Sequence, residues 1–238
     1  MKQKRPKRIK KLEVVTPEQE HDLNEQEKSG DRSKIEAKTE AQAHYLLSMR
    51  SSIVTFGIGP AGTGKTFLAA VEAADALLAK RVTKIVVTRP AVEAGEELGF
   101  LPGSLEEKFD PYFRVVRDIL DRRMGKSQVE YLIKRGTIEA LPLAYMRGHT
   151  FDRSFVIFDE AQNATCTQMK LFLTRIGNNS KVVVNGDVRQ RDVQGACGLE
   201  DAVARTSKIK GVQTIEFTRE DIVRSGISQR IVEAYESP

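Results

Sequence analysis

Apolar residues in this chain fall into short, nearly continuous runs, and amphipathic stretches separate them. Residues 36–49 place Ala37, Ala41, Tyr45 and Met49 on one face at helical spacing. A β-type run over 53–58 follows, then a glycine-rich segment and a helical pattern over 66–80. The β-branched run at 84–88 suits a parallel strand covered on both faces. Residues 105–124 read as a helix broken near Asp110-Pro111, 128–135 as a short helix ended by Gly136, and 137–141 as a strand. Further buried strands are expected at 155–158 and 182–184, a helix at 199–207 and a strand at 212–217. Thr165-x-x-Gln168 has the form of a capping box opening a helix that stops at Gly177, and Thr218-x-x-Asp221 a second one opening a closing helix to about Tyr235. Strand and helix alternate throughout without internal repeat. The expected fold is α/β, a mostly parallel sheet with helices on both faces.

Composition narrows this reading. At 238 residues, 40% hydrophobic and 30% charged, the chain suits one α/β domain over 35–238 behind a tail and flexible polar linker over 1–34. No apolar run approaches the length of a membrane span, and no apolar core follows the N-terminal charges as in a secretory signal. Cys166 and Cys197 lack metal-ligand spacing, and His21, His44 and His149 are scattered. Reduced thiols and a cytoplasmic location are expected. Residues 1–11 carry seven positive charges and no acid, so the formal net of +5 leaves −2 for the remainder. The tail serves either as a salt-sensitive contact for a phosphate backbone or as a solubility tail.

The glycine-rich segment carries the first chemistry. Gly59, Pro60, Ala61, Gly62, Thr63, Gly64, Lys65 and Thr66 fit G-x-x-x-x-G-K-[ST] between a strand and a helix, the context a phosphate-binding loop requires. Backbone N–H groups and the positive end of the helix meet the polyphosphate. Lys65 reaches the outer phosphates, and the Thr66 hydroxyl ligates Mg²⁺. ATP and Mg²⁺ are the expected ligands. Phe155-Val-Ile-Phe-Asp-Glu160 then ends a buried strand in two acids at the edge where open α/β sheets bind ligands. Asp159 suits the Mg²⁺ shell, and Glu160 suits a general base for an attacking water. Asn185, at the end of the next strand, is placed to sense a terminal phosphate, and Gln190 to orient water; the alternative is an Asn-Gly-Asp turn that only reverses the chain.

Taken together, Gly-Pro-Ala-Gly-Thr-Gly-Lys-Thr, Val-Thr-Arg-Pro-Ala-Val-Glu-Ala-Gly-Glu-Glu-Leu-Gly-Phe-Leu-Pro-Gly, Asp-Glu-Ala-Gln-Asn-Ala-Thr and Gly-Asp-Val-Arg-Gln resemble the PhoH family over about residues 36–236. That resemblance implies a single RecA-like P-loop NTPase domain, similar to the first core domain of superfamily 1 helicases. It implies an adenine-reading role for Gln42, which lies 23 residues before Lys65. It places Arg89 where the helicase motif touches a single strand; pairing with Glu93 or Glu96 is the plainer alternative. Gln162 resembles the residue coupling nucleotide to nucleic acid. Arg224 becomes the candidate arginine finger, with Arg219 in reserve. Asn185 stands where the family usually has Thr, keeping a hydrogen-bonding side chain of different reach.

The resemblance further implies a homo-oligomeric ring with RNA or single-stranded DNA as partners, with Arg224 acting on a neighbour's site and a hexamer as the expected assembly. Arg147 and the cluster Arg122-Arg123-x-x-Lys126 add basic surface for such a partner. With 6% aromatic residues, backbone contact is the expected mode rather than base stacking. Two other classes stay open: a nucleotide-gated assembly switch with little turnover, and a small-molecule kinase.

Overall fold

The computed structural model describes residues 30–90, 105–146, 148–190 and 197–223, with backbone alone for 105–112 and 144. Helices α1 (Glu40–Ser51), α2 (Lys65–Leu78), α3 (Leu105–Met124), α4 (Lys126–Lys134), α5 (Cys166–Leu173) and α6 (Gly198–Thr206) interleave with six strands. The strands are β1 (Val54–Ile58), β2 (Lys84–Thr88), β3 (Ile138–Ala140), β4 (Ser154–Phe158), β5 (Lys181–Gly186) and β6 (Val212–Glu216). They form one parallel sheet in the order β3-β2-β4-β5-β1-β6.

Side-chain alternation along each strand divides the core into two layers. Phe155, Ile157, Val183, Ile85 and Val87 face α1–α4, where Tyr45, Met49, Leu68, Val116, Leu120 and Met124 meet them. Val156, Phe158, Val182, Val184 and Phe56 face the opposite way, against Met169, Phe172, Leu199 and Ala202. Both faces are thus covered, which is why the central strands read as unbroken apolar runs. Alanines 69, 70, 73 and 74 give α2 a narrow buried side that packs close beneath the sheet.

Several boundaries differ from the sequence reading. α1 starts at Glu40 because Thr39 is extended and its hydroxyl accepts from the Gln42 N–H; Ala37 lies outside the helix and is exposed. α3 runs unbroken through Pro111. The proline removes one backbone donor, and buried Phe113, Val116, Leu120 and Met124 anchor the turns that follow. Thr165 and Gln168 form the capping box as expected, but α5 ends at Leu173. Beyond it the backbone leaves to bridge Phe151 beside Ile176, which no helical turn permits. Thr218 and Asp221 also form a capping box, but around a 3-10 turn, Arg219–Asp221, that ends where Ile222 becomes extended, so the expected closing helix does not run on from it; residues 224–235 lie outside the described residues.

Two ionic clamps, each built on one buried charged side chain, were not legible in the pattern. Glu72, 1% exposed on α2, holds Arg50 at 2.8 Å and Arg81 at 3.0 Å. Arg123 grips Asp75 through two bonds of 2.8 and 2.9 Å and donates to the carbonyls of Asp31 and Ser33. It therefore takes no part in the basic surface cluster expected from sequence; Arg122 and Lys126 are exposed. Phe172 is fully buried, with its ring 4.6 Å from Phe158 and 6.4 Å from Phe151. Phe172→Ala is expected to cost about 3–5 kcal/mol, read as a lowered denaturant midpoint.

Candidate functional site

The parallel sheet brings the C-terminal ends of β1, β4 and β5 to one edge, with β5 between the other two. The loop after β1 turns sharply at Gly59, where φ is +143° and a Cβ would lie 2.2 Å from the Phe217 carbonyl oxygen. Only glycine fits that approach. The loop is fastened by Gly59 N–H to Gly186 O (3.1 Å) and Val223 N–H to Gly62 O (2.9 Å). Gly64, with left-handed backbone, opens α2 without any side-chain cap, so the first N–H groups of this 14-residue helix stay available for an anion.

Thr66 and Asp159 meet across the cleft: the Thr66 hydroxyl donates to both carboxylate oxygens at 3.0 Å. Lys65 Nζ donates to the carbonyls of Gly59 (2.7 Å) and Pro60 (2.8 Å) and to Thr63 Oγ1 (3.2 Å), with the Phe217 ring centroid 5.8 Å away. Burial lowers the Lys65 pKa, against the opposing pull of Asp187, Asp159 and Glu160. Burial and the neighbouring Glu160 raise Asp159 from 3.8 to about 6, while the Thr66 bond and the Arg89 charge act the other way. A buried carboxylate beside a hydroxyl is an oxygen-only pair that fits Mg²⁺, which takes one or two carboxylates and completes its shell with phosphate and water. Thr66 and Asp159 are the residues that would hold it.

Glu160 sits at φ +53°, a left-handed conformation rarely adopted by a residue with a side chain. Its Oε2 accepts from Gln162 Nε2 at 2.7 Å. The same Nε2 donates to the Gln190 carbonyl at 3.1 Å, and Gln162 Oε1 accepts from the Asp187 N–H at 3.1 Å. Gln162, 2% exposed, therefore ties the second acid to the turn after β5. Ala61, Gly62, Gly64, Lys65, Thr66, Asp159, Glu160 and Gln190 line one cleft of about 230 Å³ with Phe67, Gly186 and Asp187. That volume lies below the range for whole small-molecule ligands and suits a phosphate tail.

Other expected residues stand further off. Gln42 is buried behind the loop: its Nε2 donates to the Thr63 carbonyl at 2.9 Å, and its Oε1 accepts from the Lys38 N–H at 2.8 Å. The amide edge expected to meet adenine is thus engaged by the chain itself. Arg89 follows β2 beside the strand that ends in Asp159, close enough to lower that carboxyl's pKa. Arg147, Arg224, Glu93 and Glu96 lie outside the described residues. Sequence reasoning missed Asp187 as a lining residue and Tyr45 as a polar partner of Asn185; Asp187 was read only within a turn and a family segment, without a role of its own. Among the described residues no cluster of three or more His, Cys, Asp or Glu could hold a metal alone, and no helix is long and apolar enough to cross a membrane.

A family model described as PhoH, PhoH-like protein, matches residues 34–236. Protein PhoH of Escherichia coli K12 is 50% identical over 211 residues, which cover 87% of this chain and 60% of that protein. The PhoH-like protein of Bacillus subtilis strain 168 is 50% identical over 204 residues, covering 85% and 64%. The chain thus spans somewhat under two thirds of the length of these relatives. The Pif1 helicase of Candida albicans aligns with a TM-score of 0.43 and 17% identity over 84% of this chain and 43% of its own. The six-stranded parallel sheet, covered on both faces and carrying the G-x-x-x-x-G-K-[ST] loop after β1, is a P-loop α/β fold. Matched by the family model over nearly its whole length and identical at half its aligned positions to two curated members, the chain belongs to the PhoH family.

Proposed function

We propose that this chain hydrolyses ATP with Mg²⁺, coupled to RNA or single-stranded nucleic acid, in a homo-oligomeric ring. The observation that carries the reading is the meeting of Thr66 with Asp159, beside a Glu160 held by Gln162. These residues supply what phosphoryl transfer to water needs: an anion cradle, a metal pair and a positioned base. The uncapped start of α2 and Lys65 bind the phosphates, which requires Lys65 to exchange its bonds to Gly59 and Pro60 for phosphate oxygens. Mg²⁺, when bound, neutralises phosphate charge. Glu160, which lines the cleft, takes the proton from the attacking water, and its bond to Gln162 holds one carboxylate oxygen in place.

Nucleic-acid coupling is supported by the seven positive charges of residues 1–11, the exposed Arg122 and Lys126, and the place of Arg89 at the same sheet edge as Asp159. Gln162 joins the acid to the turn carrying Gln190 and gives a physical route from base to surface. The ring and a trans-acting Arg224 rest on the family resemblance. A nucleotide-gated assembly switch is the competing outcome: it would show ATP-dependent oligomerisation with negligible turnover, with or without RNA.

Three results are expected. Lys65→Ala abolishes ATP binding, whereas Glu160→Gln retains it and lowers phosphate release by about 10²–10⁴-fold, with any stimulation by RNA lost. Equal loss of binding in both would remove Glu160 from the chemistry. The second concerns stability. A carboxyl whose pKa is raised on folding holds its proton more tightly folded than unfolded, so its contribution falls as pH rises from about 4 to about 6 and stays unfavourable above. Asp159→Asn, assayed with chelator and without nucleotide, should therefore be the more stable form at pH 8 by about 1–3 kcal/mol. The difference should vanish below pH 4, while Mg²⁺-dependent turnover is lost. Third, mixing Lys65→Ala with Arg224→Ala chains should restore part of the activity that each lacks alone; confirmed mixed rings without rescue would rule out an arginine acting between subunits.

A further inference from the structure

Beneath the cleft, α1 meets the tip of β5 through a polar contact that the hydrolysis steps leave without a task. Tyr45 is fully buried, edge-on to Phe217 at 5.4 Å between centroids, within the apolar cluster that covers this face of the sheet. Its hydroxyl donates to Asn185 Oδ1 at 2.5 Å. Asn185 is itself 1% exposed, and its Nδ2 has no hydrogen-bond partner among the described residues. An orphaned buried donor calls for an explanation, because native chains pair nearly all of them.

Three features show that this arrangement is built. Gly57 stands opposite Asn185 in the β1–β5 register, and a Cβ there would lie 2.8 Å from Asn185 Oδ1 and 2.9 Å from the Tyr45 ring. β1 therefore leaves a hollow that the pair fills. Burial, with the charge of Asp159 adding to it, raises the Tyr45 pKa well above its ordinary value, so the phenol keeps the proton it donates. In the structure the amide oxygen faces Tyr45 and accepts that proton, which leaves the NH₂ end on the side away from the phenol. The residues immediately after Asn185, Gly186 and Asp187, line the cleft with Lys65 and Asp159.

We propose that Tyr45 is a positioning residue for recognition of the terminal phosphate: it locks the Asn185 amide so that its N–H groups are reserved for an oxygen present in a nucleoside triphosphate and absent from the diphosphate. This deepens the ATP reading and rests on it. The same helix braces the phosphate loop one turn earlier, through Gln42 and the Thr63 carbonyl. α1 is thus a single bar touching both the cradle and the residue that distinguishes its contents.

The test uses the full chain with Mg²⁺, comparing affinities for a non-hydrolysable ATP analogue and for ADP, together with kcat and KM for phosphate release. Tyr45→Phe should lower the preference for the triphosphate analogue over ADP by about 10–100-fold, the worth of a hydrogen bond to a charged group, and lower kcat. Its ADP affinity should stay within about twofold of the unaltered chain. Asn185→Ala should do the same, and the double variant should be no worse than the poorer single one. Asn185→Asp keeps an acceptor for Tyr45 and removes the donor, so it should lose the preference even if Tyr45→Phe does not fold. An unchanged preference in folded Tyr45→Phe overturns the proposal, as do additive losses or equal loss of both affinities. If the unaltered chain prefers the triphosphate through Tyr45 but releases no phosphate, only the hydrolysis reading fails. If it hydrolyses ATP and Tyr45→Phe is indistinguishable from it, only the role of Tyr45 fails.

Discussion

A single hydroxyl, that of Thr66, joins two parts of this chain 93 residues apart by donating to the carboxylate of Asp159. Everything proposed for the site presupposes that contact, because it sets the uncapped start of α2 against the end of β4. It also carries a cost to the fold. Asp159 is buried beside Glu160 with Thr66 and the charge of Arg89 as partial compensation, and its carboxyl is pushed up to about 6. A group in that condition is poised for a cation, since a divalent ion offsets at once the desolvation and the repulsion that raise its pKa. The arrangement follows the general pattern in which a functional site holds charge that the surrounding core must stabilise.

Around this contact the polar groups are interlocked. Gln162 uses both ends of its amide, one on Glu160 and the Gln190 carbonyl and the other on the Asp187 N–H. A change at the acid is therefore felt in the turn after β5 without any apolar side chain having to move. Glu160 also occupies a left-handed backbone position, which the flanking strand and the 3-10 turn at Ala161–Asn163 impose. On the other side of the loop, Gln42 and Tyr45 project from one helix to the Thr63 carbonyl and to Asn185. The cleft is supported from below by α1 and from the side by the Gln162 bridge, and the two supports meet at the end of β5.

Much of this was legible in the sequence, and for a local reason. The phosphate loop, the acid pair and both capping boxes are short segments whose geometry is set by residues within a few positions of one another. The unbroken apolar runs announced strands covered on both faces, and the two core layers agree. Where the reading slipped, a distant partner had intervened. α5 stops early because the chain beyond it bridges Phe151. Pro111 fails to break α3 in a helix whose later turns are buried. Arg123, read as surface charge, lies against Asp75 and the carbonyls of Asp31 and Ser33.

The linear chain already carried a strand, a glycine-rich loop and a helix in the order that a phosphate-binding loop requires, and two acids directly after another strand of a parallel sheet. Periodicity, glycine and the charge of adjacent side chains are properties a linear chain already possesses. Folding alone set β5 between those strands, turned the Gln42 amide to the loop, and brought Tyr45 to Asn185 over the bare backbone of Gly57. Those contacts join residues as many as 140 positions apart, and their partners are selected by burial and strand order, which no local pattern encodes.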